Sequence, residues 1–409
     1  MQVVHPRCAG LDVHQKQVVA CIRVVGRKKI VQEVRTFETT MRGLLALLDW
    51  LASHGCTHVA MESTGVYWKP VWHVLDGAFE LVLANAMHIK NLPGRKSDVN
   101  DATWISDLLA HGLIRGSFVP PPEIQELRDL TRSRKQFVLE SARHVLRLQK
   151  VLEDANIKLT EILSDIMGKS GRAIIEALIS GETNPEVLAG LAFGNRLKAT
   201  REEFVEALRG QVTPHHRFLL KLHLGQIDAL ESAVHELEVR MGEALSPFHE
   251  SVELLKTIPG VNDTVARVII AEVGLDMGRF PTSGHLISWA GLCPGMNESA
   301  GKRLSSRIRP GAPWLKATLA QAAWGAVRTK CSYLRAQFHR LKSRRGPKKA
   351  IIAVSASMLT AVYHILKNHV PYRDLGSEHY ERIDKTKAAT RLVRRLKNLG
   401  FQVAISPAA

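Results

Sequence analysis

Two aspartates, Asp98 and Asp101, stand three residues apart in the stretch GRKSDVNDATWISDLLAHG. The pattern of this stretch predicts a helix, and side chains three positions apart on a helix share one face, with about 5–6 Å between their Cβ atoms. The two carboxylates can therefore aim at one point. Ser97 and Asp98 would also suit the start of a helix, so a helix cap is the alternative interpretation.

Two further acids lie where buried strands are expected to carry them. Asp12 is part of GLDVHQK, in the first predicted strand, and Glu62 is part of MESTG, where an apolar strand ends. A carboxylate among apolar strand residues is costly unless it is paired or binds a metal ion. If these two strands are neighbours, and if the helix with Asp98 and Asp101 crosses their ends, four carboxylates converge.

Four carboxylates suit Mg²⁺, which binds through carboxylates, water and substrate phosphates, and Mn²⁺ accepts the same oxygen ligands. Two such ions would stabilise the attacking and leaving oxygens of a phosphodiester. The order of strand acid, strand-end acid and helix acid pair is typical of ribonuclease-H-like enzymes, and the D-x-x-D spacing is typical of RuvC-type resolvases. Asp107 is rotated away from the acid pair on the helix and is not expected to reach the metals. His14 would lie on the same side of its strand as Asp12, either beside the metals or as a surface histidine.

Strands and helices alternate before residue 118 and predict an α/β domain with a mixed sheet. The prolines Pro120 to Pro122 mark a boundary. Residues 123–163 and 215–245 then predict two long helices packed as an antiparallel coiled coil, either a spacer or a dimer arm, with shorter helices at its far end. The expected domains are a RuvC-like unit over 1–118, coiled-coil helices over 119–250, a mostly helical unit over 251–371, and a basic tail over 372–409.

The third domain opens with LLKTIPGVNDTVARVIIAEVG, which has the form of a helix-hairpin-helix. In that motif the turn at Gly260 and the next helix start offer a seat for a phosphate. An ordinary helical turn is the alternative. The loop GLCPGMNESAGKR and a basic hairpin or loop follow, and then helices to the end of the domain.

The chain of 409 residues carries a formal net charge of +17 at neutral pH, with a pI of about 9.8. This excess predicts a polyanionic partner, and nucleic acid is the expected one. The expected phosphate contacts lie before the acid pair, in the helix-hairpin-helix turn, at and after the end of the serine-bearing loop, and in the basic patch RLKSRRGPKK. They are Arg95, Lys96, Gly260, Lys302, Arg303, Arg307, Arg344, Arg345 and Lys348.

Five scattered cysteines form no C-x-x-C pair, which indicates neither a zinc site nor a disulfide framework. No apolar run is expected to reach membrane-spanning length, and no secretory signal opens the chain. We therefore expect a cytoplasmic, nucleoid-associated prokaryotic protein without a membrane partner.

The motifs GLDVHQK, MESTGVYWKPV, GRKSDVNDA and WAGLCPGMNESAGKR together resemble the DEDD transposases of the IS110 insertion sequences, and more narrowly their IS-eleven-eleven-like subgroup. The likeness covers about residues 7–369 and leaves out the tail. It implies metal-binding roles for Asp12, Glu62, Asp98 and Asp101, and the role of nucleophile for Ser299.

The resemblance also implies an enzyme that excises and inserts its element through a phosphoserine link, acting on donor and target DNA. Some members of the family are guided by a structured non-coding bridge RNA, and the active form is a multimer, here a homodimer or homotetramer. In such multimers the acid site of one subunit meets the serine of another.

Serine chemistry would explain recombination in a chain that has no ATP-binding G-x-x-x-x-G-K-[ST] loop. A phosphoserine conserves the energy of the phosphodiester, whereas attack by water loses it. Ser305 and Ser306 are local competitors of Ser299 for this role. Two other functions stay open: a structure-selective nuclease such as a junction resolvase, which would use the acids and water alone, and a non-catalytic nucleic-acid scaffold.

Overall fold

The computed structural model describes residues 2–26, 29–63, 65–86, 89, 101–192, 199–295, 297–305, 307–380 and 385–403. By its internal contacts the chain divides into two compact units, Met1–Pro120 and Pro121–Ala409. The N-terminal unit is a mixed α/β structure, and the described part of the C-terminal unit is mostly helical.

A five-stranded mixed sheet forms the centre of the N-terminal unit, in the order β3-β2-β1-β4-β5. The first three strands pair antiparallel, whereas β1, β4 and β5 run parallel. The strands are β1 (Arg7–Val13), β2 (Gln17–Val25), β3 (Ile30–Glu38), β4 (His58–Glu62) and β5 (Glu80–Ala84). The helices are α1 (Met41–Ser53), α2 (Trp68–Leu75) and α3 (Asp101–Ala110). The predicted mixed sheet is thereby confirmed.

Each face of the sheet buries its own apolar cluster. Leu11 and Met61 belong to the cluster that includes residues of α1 and α2. Successive strand residues point to opposite faces, and Ala60 accordingly belongs to a second cluster with Trp104 and Ile105 of α3. Helices therefore cover both faces of the sheet, with α3 on the face that carries Ala60.

Two long helices, α4 (Pro122–Asp154) and α9 (Pro214–Ala244), form a helical arm in the C-terminal unit. Arg134 pairs with Glu238, and further along α4 His144 meets His223. The contacts move forward on α4 as they move backward on α9, so the two helices are antiparallel, as predicted.

The far end of the arm has its own apolar core, which includes Leu152, Ile157, Phe204 and Leu224. Four short helices contribute to this end: α5 (Leu159–Ile162), α6 (Lys169–Ser180), α7 (Pro185–Gly190) and α8 (Arg201–Ala207). The prediction of one continuous helix to residue 163 was wrong. The long helix ends at Asp154, because Asn156 has a left-handed φ of 55° that turns Ile157 into the core.

Except for α16, which contributes no described residue to it, the remaining helices of the C-terminal unit share a second core with the base of the arm, which contributes Leu127 and Met241. They are α10 (His249–Lys256), α11 (Asp263–Val273), α12 (Ser283–Trp289), α13 (Pro313–Ala326), α14 (Tyr333–Arg345), α15 (Pro347–Asn368) and α16 (Lys385–Asn398). A hairpin of β6 (Asn297–Ser299) and β7 (Lys302–Ser305) lies between α12 and α13.

Among the described helices, α15 alone has the length and apolar composition of a membrane-crossing segment. The prediction that no segment reaches that length was wrong for this helix. Ten of its residues, including Val354 and Met358, are buried in the core. Burial on this scale is ordinary for the central helix of a globular unit.

Candidate active site

Asp12 and Glu62 lie at the carboxyl ends of two neighbouring parallel strands. The recorded pairs of β1 and β4 end with Leu11 opposite Met61, and Asp12 and Glu62 are the next residue on each strand. Leu11 and Met61 face the cluster of α1 and α2. By the alternation of strand side chains, Asp12 and Glu62 therefore face the other side, which α3 covers.

Helix α3 crosses β1 on this face with very little space between the two backbones. A Cβ built on Gly10 would lie 2.3 Å from the carbonyl oxygen of Ala102 and 2.4 Å from the amide nitrogen of Ser106. Real Cβ atoms do not approach backbone atoms so closely, because such contacts are strongly repulsive. Glycine at position 10 thus allows the helix to lie directly on the strand.

The direction of α3 brings its first residue toward the strand ends. Gly10 lies against Ala102, whereas Cys8 donates from its Sγ to the carbonyl oxygen of Ser106 at 3.5 Å. Later positions on the helix thus meet earlier positions on β1, so the start of the helix lies toward Asp12. Asp101, the first residue of α3, therefore belongs to the same end of the sheet as Asp12 and Glu62.

A partly buried ion pair fixes α3 further along its length. Arg23 of β2 is 8% exposed, and its Nη2 lies 2.9 Å from Oδ1 of Asp107. The Nε atom of Arg23 has no hydrogen-bond partner within the described structure. Asp107 thus pairs with β2. Arg23 was not predicted, since nothing in the local sequence distinguishes an arginine that pairs with a distant helix.

Not every predicted site residue can be placed. Asp98, Arg95 and Lys96 lie outside the described residues. Asp12 is within 3.1 Å of the Nε2 atom of His14, and its side chain is 22% exposed. Among the residues that are described, no group of three or more His, Cys, Asp or Glu side chains is arranged to hold a metal ion. The structure thus brings Asp12, Glu62 and Asp101 to one end of the sheet, but it does not place them close enough together to coordinate a metal ion.

The donor chemistry at this sheet end nevertheless fits a hard divalent cation. Asp12, Glu62 and Asp101 offer carboxylate oxygens, the ligands that Mg²⁺ and Mn²⁺ prefer. Their side chains are all partly exposed, so solvent and a phosphate could complete a coordination shell. His14 is a competitor, because its ring nitrogen already contacts a carboxylate oxygen of Asp12.

Ser299 is the last residue of β6, at the tip of a tight hairpin, where it pairs with Lys302. The two turn residues, Ala300 and Gly301, have left-handed φ values of 47° and 74°. Two-residue hairpin turns of the favoured type need this backbone at both positions, which Gly adopts freely and Ala does not. The prediction of a loop over GLCPGMNESAGKR was therefore wrong for its last residues, which form β6, the turn and the start of β7.

Apart from Arg95 and Lys96, the basic residues predicted to bind nucleic acid belong to the C-terminal unit. Arg307 follows the hairpin, and a second group lies where α14 ends and α15 begins. The exposed members are Lys302, Arg307, Arg344, Arg345 and Lys348, and the side chain of Arg303 lies outside the described structure.

Gly260 lies in the turn between α10 and α11, as the helix-hairpin-helix pattern predicts, with a φ of 81°. A Cβ at this position would lie 2.3 Å from the carbonyl oxygen of Ala322 in α13. Close packing against α13 therefore explains the glycine. Asp263, the first residue of α11, already places a negative charge at the helix start, and that charge opposes a phosphate at the same place.

Two family models match the chain. A model of the DEDD domain of IS110 elements, described as transposase, matches residues 9–157. A second model, described as transposase of the IS116/IS110/IS902 family, matches residues 252–339. The first range contains all four acids and the second contains Ser299. No curated protein matches the chain.

Proposed function

The chain belongs to the IS110 family of transposases, which confirms the resemblance of its motifs, and we propose that it cuts and rejoins DNA through a phosphoserine intermediate. As a member of this family it is a DNA transposase and recombinase. In the proposal, the N-terminal unit is a RuvC-like domain whose acids act with Ser299 of the C-terminal unit.

One observation carries the proposal for the acid site. Two adjacent parallel strands carry acids near their carboxyl ends, Asp12 and Glu62, and the helix that starts at Asp101 lies across one of these strands on the acid face. Acids that serve only as caps or turns have no reason to share one end of a sheet. Asp98, three residues before Asp101, would complete the set.

Asp12, Glu62, Asp98 and Asp101 would hold one or two Mg²⁺ or Mn²⁺ ions. When bound, such ions supply Lewis-acid stabilisation of the phosphate oxygens. The protein's part is to orient Asp12, Glu62 and Asp101 through β1, β4 and α3 and to leave the sheet end open to a phosphodiester.

Ser299 is the proposed nucleophile. Its hydroxyl oxygen forms a bond to phosphorus, the bond to the DNA 3′-oxygen breaks, and the proton lost by serine ends on the released 3′-hydroxyl. The product is a 5′-phosphoserine. A 3′-hydroxyl of another strand reverses the step without ATP, because the ester bond conserves the phosphodiester energy. The left-handed backbone of Ala300, directly after Ser299, supports this role, since such strain concentrates at functional sites.

The remaining parts of the proposal rest on the resemblance and on charge. The net charge of +17 supports a polyanion beyond the cut DNA, and a bridge RNA that pairs with donor and target is the proposed guide. The arm of α4 and α9 is a candidate dimer contact in a homodimer or homotetramer. The proposed location is the nucleoid of a prokaryotic cytoplasm.

Substitution of Ser299 by Ala tests the nucleophile. The substrate is a plasmid that carries the element with its flanking DNA, and the reading is the covalent protein–DNA species trapped by denaturation. We expect Ser299→Ala to abolish this species. The matched control is Ser305→Ala, because Ser305 accepts a hydrogen bond from the Arg307 amide at 3.2 Å and so has a structural role.

The same experiment separates the rival functions. A nuclease that uses water would still cut the plasmid after Ser299→Ala, and this result would refute the phosphoserine mechanism. A non-catalytic scaffold would be unaffected by Asp98→Asn and Asp101→Asn, whereas a metal-dependent recombinase would lose both cutting and joining.

A further inference from the structure

A small cavity of about 410 Å³ lies beside α14 in the C-terminal unit, and none of the proposed catalytic residues is among its described lining residues. Its wall is formed by the turn before α14, by one face of that helix, and by one residue of the chain after α15. The described lining residues are Lys330, Cys331, Ser332, Arg335, Ala336, His339 and Ser377. Three of them are basic or can become so, two carry hydroxyl groups, and no Asp or Glu is among them.

The basic residues of the cavity are not neutralised by acids. Within the described part of the chain, Lys330, Arg335 and His339 form no ion pair of the kind that occupies many other cations of the C-terminal unit. The only recorded bond of the Arg335 guanidinium is a long one, 3.5 Å from Nη1 to the carbonyl oxygen of Arg328. Unpaired cations around a concavity favour an anion.

The second wall of the cavity belongs to a segment that we call the strap, residues 370–380, which returns along α14. The Asp374 carboxylate accepts a hydrogen bond from the amide of Tyr333 at 2.9 Å. The rings of Tyr380 and Tyr333 stack at 5.4 Å, and the Arg340 guanidinium lies 4.5 Å above the ring of Tyr380. These contacts hold the strap, and with it Ser377, in place.

The cations of the cavity continue along the helix surface. Arg335, His339 and Lys342 are spaced by four and three residues, so they share one face of α14 over about 10 Å. The exposed Arg344 and Arg345 follow at the end of the helix. A single free anion would contact only the cations of the cavity, whereas a chain of phosphates would also contact those along α14.

We propose that this strap cavity binds a backbone phosphate of nucleic acid and that the α14 face guides the adjoining phosphates. The proposal adds a binding site to the proposed function and rests on it only in taking nucleic acid as the polyanion. The family match ends at His339, so Ser377 and the strap lie beyond the matched range.

Cys331 offers a direct reading of occupancy. It is exposed and lines the cavity, whereas Cys8, Cys21 and Cys56 are buried. Burial raises the pKa of Cys8 to about 12 and that of Cys56 to about 11, so neither offers a reactive thiolate near neutral pH. The alkylation rate of Cys331 by iodoacetamide, followed by peptide mass spectrometry, therefore reports on this one place.

The experiment compares a short duplex DNA, a hairpin RNA and inorganic tripolyphosphate at equal phosphate concentration, with a chelator present so that no strand is cut. If the polymer fills the cavity nine-tenths of the time, alkylation slows about tenfold, and raised salt restores it. Protection by either polymer supports the proposal, and the comparison of DNA with RNA identifies the source. Protection by tripolyphosphate alone, or by none of the three, overturns it.

A double variant tests the cations themselves. Lys330→Gln with Arg335→Gln should abolish the protection of Cys331 and lower the slope of log affinity against log salt by about two. Arg143→Gln with Lys221→Gln removes the same charge from the exposed arm and should leave the protection unchanged. Unfolding curves of both variants confirm that they fold. Retained protection in the first variant refutes the proposal.

Loss of protection and loss of recombination are separate readings. Because the protection assay needs neither metal nor Ser299, a chain that cuts DNA without protecting Cys331 would refute the cavity alone. A chain that protects Cys331 without forming a covalent species would refute the proposed chemistry alone.

Discussion

Substitution of Gly10 by Ala should displace α3 and with it Asp101, its first residue. The added Cβ would lie 2.3 Å from the carbonyl oxygen of Ala102 and 2.4 Å from the amide nitrogen of Ser106. Ordinary van der Waals contact begins at 3.4 Å, so relief requires a shift of 3.4 − 2.3 = 1.1 Å for the first atom and 3.4 − 2.4 = 1.0 Å for the second. Both clashing atoms are backbone, so the whole helix must move.

Two consequences of this shift can be estimated. Overpacking of this kind costs about 1–3 kcal/mol of the free energy of unfolding. A misplacement of about 1 Å in a catalytic group can lower the rate about a hundredfold. We expect Gly10→Ala to fold, to unfold at a lower temperature, and to excise the element about a hundredfold more slowly from the plasmid substrate.

Gly116→Ala is the matched control in the same unit. A Cβ at this position would lie 3.7 Å from a methyl group of Val82, which is an ordinary contact. This variant should keep both its stability and its activity. If Gly10→Ala excises at the rate of the unchanged protein, α3 does not position the acids. If Gly10→Ala loses stability but keeps activity, the close packing of α3 on β1 stabilises the fold and does not position the acids.

Two further predictions concern paired groups. In the arm, burial lowers the pKa of His223, and the neighbouring His144 and Arg147 lower it further. Because the unfolded chain then binds the proton more readily, the free energy of unfolding should fall as the pH drops below about 6.5. His223→Gln should remove this acid dependence of the unfolding temperature, and an unchanged dependence would contradict the assignment. In the N-terminal unit, Arg23→Met should lower the free energy of unfolding, measured with denaturant, by about 1 kcal/mol. The variant loses a charged hydrogen bond to Asp107, and it gains part of this back because a buried Nε atom without a partner is removed. A gain in stability would contradict this balance.

Local sequence patterns were enough to predict the elements of the N-terminal sheet and the two arm helices. Alternating apolar residues fix the strands, and the apolar positions of residues 123–154 fix one face of α4. The end of α4 was not predictable, because the left-handed backbone of Asn156 is imposed by the core at the arm's far end. At such positions tertiary packing overrides the local helix propensity of the sequence.

The acid site was predictable only in part. The prediction required the strands of Asp12 and Glu62 to be neighbours, and the structure pairs β1 with β4. The metal-binding and nucleophilic roles stay predictions. Gly10 and Arg23 could not be found from the sequence, because their importance lies in contacts with a helix more than eighty residues later, and no local pattern indicates such a contact.

The arm has a separate apolar core at each end, joined by two paired helices. Removal of seven residues from each helix between these cores would keep the facing side chains in register and shorten the arm by about 10 Å. The distance from base to tip is thus adjustable in whole-heptad steps without redesign of either end.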